Sequence, residues 1–164
     1  ADVKRPDIGV MIEVPAAVFQ AEEILQRVDF LSVGSNDLVQ YMLAVDRNNA
    51  QVASLYQEYH PAVLKALSQV AAAATLAGKG SGICGEMAGN PGAALLLMAM
   101  GYQVLSMNSP NLLVVKKVLT SISMKAAKKV LKQALALESA QEVKALVDQT
   151  LTDAGLEQLI RNRA

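Results

Sequence analysis

An α/β fold with parallel strands is predicted by three observations. Four short runs rich in apolar and branched residues, at 8–12, 29–33, 80–84 and 103–107, have strand length and end at a glycine or a polar residue. Helix-like sequence follows each run, so the unit strand–helix occurs four times, with connections long enough for right-handed crossovers. Beyond residue 120 no strand-like run remains. Alternating strands and helices favour a parallel sheet.

Taken in order, residues 8–12 form a continuous apolar run, expected of a parallel strand buried on both faces. Glu13 ends it, and Pro15 suits the first turn of a helix whose inward face is Ala17, Ala21, Ile24, Leu25 and Val28. The second strand, 29–33, closes at Gly34. A short helix over 36–45 and a turn-rich loop at Asp46–Asn49 follow. Residues 61–77 read as a helix with Val63, Ala66, Leu67, Val70 and Ala74 inward, ended by Gly78. The third strand, 80–84, leads through Gly85 and Glu86 to an Ala/Leu-rich helix over 91–100. The fourth, 103–107, precedes a helix over 111–119. In the remainder, Ser123 suits the N-cap of a helix over 123–136 with a lysine-bearing exposed side. Ser139 and Glu142 have capping-box spacing, ahead of an apolar face of Val143, Leu146, Val147 and Leu151. This tail is expected to pack on the α/β part or on a second subunit. The expected division is 1–120 for the strand-bearing part and 121–164 for a helical extension of the same domain.

Composition excludes several function classes. At 164 residues, with 52% hydrophobic and 18% charged residues, the chain can bury a sizeable core and is not a disordered segment. Lys+Arg and Asp+Glu both number 15, so nucleic acid and anionic membrane surfaces are not expected as partners. Cys84 is the only cysteine, which leaves no intrachain disulfide and no pointer to secretion. Residues 1–7 are polar and lack the apolar core of a signal peptide, and the apolar run 93–100 is too short to span a bilayer. A cytoplasmic location is expected.

The strand ends carry the chemistry. In α/β proteins active sites gather at the C-terminal ends of the strands. Glu13 stands at the first end, Asn36 and Asp37 beyond the second, with Arg47 after them, and Cys84, Gly85 and Glu86 at the third. Glu13 and Asp37 occupy equivalent places on adjacent units, and two hard carboxylates suit Mg²⁺, which fills its other sites with water and substrate oxygens. Plainer readings stand beside these: Glu13 as a helix-start residue, and Ser35 or Asn36 as an N-cap. Arg47 offers a planar fork for phosphate or carboxylate, or is only a solvated loop charge. Cys84 can hold a proton at the strand end, or is inert core. His60 beside Pro61 reads as a helix-entry residue, and no second His or Cys supports zinc. The seven methionines read as core fillers. From the residues alone, the chain has a candidate magnesium site for a small anion. Its four strand–helix units suit either half a (β/α)₈ barrel or part of an open sheet.

The segments 9–17, 28–41, 43–48 and 83–89, and more loosely 105–108, resemble the phosphoenolpyruvate (PEP)-utilising enzymes. Within them the likeness is to the PEP–protein phosphotransferases of the Enzyme I type and their nitrogen-regulatory paralogue. It covers roughly residues 8–119 and extends more weakly into the tail.

The resemblance implies the second half of a PEP-binding (β/α)₈ barrel. Glu13 and Asp37 would hold Mg²⁺, Asn36 and Arg47 would bind the PEP phosphate, and Cys84 would protonate C3 of the enolate to give pyruvate. It further implies phosphoryl transfer to a histidine on another domain and on to a histidine-containing phosphocarrier protein, and a homodimer. That histidine motif, the carrier-binding helical domain and the barrel's first half are not in this sequence, and residues 109–114 depart from the family pattern. The isolated chain is therefore expected to be inactive. Other readings are a pyruvate phosphate dikinase or PEP synthase barrel, a non-catalytic dimerisation module, and a metal-dependent aldolase or lyase. The last gives no reason for Asn36, Arg47 and Cys84 together.

Overall fold

The computed structural model describes residues 3–161. Four parallel strands, β1 (Gly9–Ile12), β2 (Phe30–Gly34), β3 (Gly80–Cys84) and β4 (Val104–Ser106), lie side by side in chain order. Sequential order without a reversal differs from a doubly wound sheet, in which the strand order turns back on itself. The register pairs Ile12 with Val33, and Gly34 with Cys84, so three strand ends lie level.

Side chains alternate across the sheet, and its two faces differ. Ile12, Leu31, Val33 and Ile83 are buried under helices, whereas Met11, Phe30 and Val104 on the other face are 44%, 42% and 61% exposed. This corrects the expectation that residues 8–12 are buried on both faces. Among the described residues the second face is left largely open, and the Phe30 ring lies across Gly9 there.

The first helical stretch is divided. Helices α1 (Pro15–Phe19) and α2 (Ala21–Leu25) meet at Gln20, whose φ of −104° and ψ of 13° leave the helical region. The Lys79 ammonium caps the end of α2 through the carbonyls of Leu25 and Val28. Helix α3 (Ser35–Leu43) starts directly after β2 and ends at Ala44, which is left-handed with φ 53°. A 3₁₀ turn at Ala53–Leu55 precedes α4 (Pro61–Leu76), which buries all five residues expected to face inward. A short helix α5 (Glu86–Gly89), missed in the sequence, links β3 to α6 (Pro91–Met100).

Helix α6 is apolar all round and almost wholly buried, which requires cover on every side. The cover comes from α4, from α7 (Ser109–Ser121), and from tail helices α8 (Met124–Ala134) and α9 (Ala140–Asp153). Ser123 caps α8 by accepting from Ala126 N–H at 3.2 Å, and the Ser139/Glu142 capping box of α9 is complete. Helix α10 (Gln158–Arg161) closes the described residues. Among the described residues no helix is long and apolar enough to cross a membrane.

Candidate active site

Two adjoining turns build the centre of the site. Gly34 is the N-cap of α3 and no side chain caps that helix, so Ser35 and Asn36 fall inside its first turn. The plainer N-cap reading of these two residues is thereby corrected: both side chains reach across to the turn after β3. The buried Ser35 hydroxyl donates to the Cys84 carbonyl at 2.7 Å, and the Asn36 side-chain oxygen accepts from Glu86 N–H at 3.0 Å. With its oxygen engaged, the Asn36 amide presents its NH₂ end as a donor, the polarity an anion needs. Gly85 joins the turns at φ +106°; a Cβ there would overlap Ser35 Oγ and lie 2.6 Å from Asn36 Oδ1.

The Glu13 carboxylate lies over Gly34, whose missing side chain makes room: a Cβ there would stand 2.6 Å from Glu13 Oε1. That brings one carboxylate onto the turn that opens α3, where Asp37 sits in the first helical turn. The donor set, two hard carboxylates from neighbouring strand ends, fits Mg²⁺ better than a soft metal. Among the described residues no group of three or more His, Cys, Asp or Glu is arranged as a metal site.

Arg47 is brought in by the loop after α3. Its backbone N–H donates to Gln40 Oε1 at 3.2 Å, and its guanidinium lies 3.7 Å from Glu86 Oε2. The pair is partly exposed, so it is worth at most about 1 kcal/mol. It nonetheless turns Arg47 toward the Cys84 strand end. Cys84 is half-buried, on the open face of the sheet by strand alternation, with its Sγ 3.5 Å from the Val33 carbonyl. Asn36, Cys84, Gly85 and Glu86 share the lining of a cavity of about 580 Å³.

Glu58, Asn90 and Ser106 line the same cavity and were missed by sequence reasoning. Burial, and then the nearby Glu86 charge, push the Glu58 carboxyl up to about 6, against a hydrogen bond to Asn90 that lowers it. Tyr56 donates to the Asn36 carbonyl at 3.3 Å, and burial pushes its phenol up to about 12. Asn90 accepts from Gly92 N–H and Ala93 N–H at 3.0 and 3.3 Å, capping α6, and from the Tyr59 hydroxyl at 3.0 Å. The Asn90-Pro91 pair is a helix-start signal legible in the sequence; nothing local marks Glu58. His60 caps α4 through Nδ1, which accepts from Ala62 N–H at 3.1 Å, as the helix-entry reading expects.

A parallel sheet whose strand ends carry carboxylates, an amide donor, an arginine and a thiol has the donors and charges that anion sites of α/β domains use. The chain belongs to the PEP-utilising enzymes: residues 1–124 match the family described as "PEP-utilising enzyme, PEP-binding domain". Its relatives narrow this further. It is 43% identical over 159 residues to a protein of Salmonella typhimurium named "Phosphoenolpyruvate-dependent phosphotransferase system", covering 97% of this chain and 21% of that protein. The Escherichia coli K12 protein of the same name is 42% identical over 160 residues, 98% of this chain and 21% of its own length. A "Phosphoenolpyruvate-protein phosphotransferase" of Geobacillus stearothermophilus is 41% identical over 146 residues, 89% of this chain and 25% of that protein. The chain thus spans between a fifth and a quarter of the length of these relatives.

Proposed function

We propose that this chain is the PEP-binding part of a PEP–protein phosphotransferase, and that its four strand–helix units are the second half of a (β/α)₈ barrel. The observation that carries the reading is the pair of stitched turns, which puts an amide donor and a thiol on one cavity, with Arg47 directed at its rim. The bare second face of the sheet supports the barrel assignment, because parallel sheets are otherwise covered on both faces. The relatives' greater length supplies enough chain to cover it. The helical tail after residue 120 belongs to the same domain, since it covers α6.

In this reading the Asn36 NH₂ group and the Arg47 fork bind the phosphoryl group, and Arg47 exchanges Glu86 for the substrate anion. Glu13 and Asp37 would hold Mg²⁺, which when bound neutralises charge on the phosphoryl and enolate oxygens. The Cys84 thiol holds the proton that C3 of the enolate takes as pyruvate forms. Phosphoryl acceptance falls to a histidine on another domain and then to a histidine-containing phosphocarrier protein. The protein acts in the cytoplasm as a homodimer. These roles rest on the resemblance and on the relatives' names as much as on geometry.

Two preparations test the proposal. Incubated with labelled PEP and Mg²⁺, the isolated chain takes up no stable label; labelling at His60 contradicts it. A chimaera in which this chain replaces the corresponding segment of the Escherichia coli relative releases pyruvate from PEP and passes phosphate on. A folded, inactive chimaera counts against it.

A further inference from the structure

We propose that Ser35, together with Gly85, is a positioning device for Cys84, and that it ties the anion-binding turn and the thiol-bearing turn into one unit. The inference rests on the reading of Asn36 and Cys84 given above. Ser35 is 1% exposed, a buried hydroxyl with no contact to the cavity in its own right. Burying a hydroxyl is unfavourable unless its hydrogen bond is made. Here the bond is made to the main chain of the residue that carries the thiol, at 2.7 Å. The Asn36–Glu86 bond crosses the same gap in the opposite sense, at 3.0 Å, one residue further along the first turn and two along the second.

Gly85 lies between the two bonds and is required twice over. Its φ of +106° is a conformation that side-chain-bearing residues rarely adopt. A Cβ would also occupy the place of Ser35 Oγ. The strands beneath pair Gly34 with Cys84, so the clasp sits on a rigid parallel register. Displacing Ser35 therefore frees the Cys84 carbonyl and, with it, the direction of the thiol. The Cys84 thiol also donates to the Val33 carbonyl at 3.5 Å, an ordinary length for sulfur, but S–H is a weak donor and the carbonyl anchored by Ser35 sets the course of the main chain that carries it.

Because Cys84 is the only cysteine in the sequence, its alkylation by iodoacetamide, followed by mass, reads its position directly. Ser35→Ala is expected to raise the native-state alkylation rate about three- to tenfold, the population change that loss of one ordinary hydrogen bond produces. Ser35→Thr, which keeps the hydroxyl, restores the parental rate. A merely structural Ser35 would lower the unfolding temperature and leave the native-state rate and its pH midpoint unchanged, and that result overturns the proposal. Should Ser35→Ala fail to fold, Gly85→Ala reads the clasp from its other side and is expected to raise the rate likewise. The unaltered chain gives a check that no variant can spoil: native-state amide exchange at Glu86 must be slowed, and an unprotected Glu86 amide overturns the clasp. None of these measurements uses PEP, so they succeed or fail independently of the substrate assignment.

Discussion

The two faces of the one sheet follow different rules. Under the helices, Ile12 and Val33 have no exposed surface, and their strands read as core. Across the sheet, the open side carries Gly9, Met11, Phe30, Ser32, Gly82, Cys84 and Val104, a mixture of small, apolar and reactive residues. The covered face holds this chain together. The open face supplies little to its stability, and the proposed site lies at its C-terminal rim. A residue's burial here therefore separates the face that folds the chain from the face that stays open.

Substitutions should follow that division. The largest effect is expected from Ile83→Ala on the covered face, a loss of about 2–5 kcal/mol for a fully buried residue, measured by urea unfolding. Equal losses at Ile83 and at open-face Val104 would break the comparison. Glu58→Gln, at the rim, should act in the opposite direction. The Glu58 carboxyl titrates at about 6 in the fold against an ordinary 4.5, so the folded state binds the extra proton between those values. Stability from this residue is therefore lost as pH rises from below 4.5 through about 6. The glutamine variant should be more stable than the parent by roughly 1–2 kcal/mol at pH 8 and indistinguishable at pH 4. A gain that is the same at both pH values would assign the effect to something other than Glu58 ionisation. Val104→Ala in the isolated chain should cost under about 0.5 kcal/mol, the range of a surface substitution. In the chimaera described above, the barrel reading predicts a covered open face, and the same change is then expected to cost more.

Much of the fold was legible because it is local. Periodicity marks the inward face of α4, and Ser123, Ser139 and Glu142 mark the starts of α8 and α9. The strand ends at Glu13, Gly34 and Cys84 could be read from where apolar runs stop. The break at Gln20 was not legible, since Ala21, Glu22 and Glu23 are all compatible with a continuous helix. The one-sided burial of β1 was missed because an apolar run looks the same whether or not a second layer exists to cover it.

At the site, the carboxylates, Asn36, Arg47 and Cys84 could be singled out by residue type and position. Ser35 and Asn36 suggested caps because the N-cap pattern is local, whereas their partners, Cys84 and Glu86, lie about fifty positions away and are visible only once β2 and β3 pair. Glu58 carried no signal at all: its environment includes Glu86 of α5, Asn90 at the start of α6, and Gln141 and Lys144 of α9, all distant from it in sequence.

In the proposed reading this chain holds one side of a divided PEP site. The most direct measurement is protection of Cys84 from iodoacetamide by PEP with Mg²⁺, in the isolated chain and in the chimaera. With ligand at about ten times its dissociation constant, alkylation should slow about tenfold in the chimaera and by less than about twofold in the isolated chain. Full protection in the isolated chain would show a site complete without further polypeptide, and no protection in the folded, active chimaera would remove Cys84 from the PEP site.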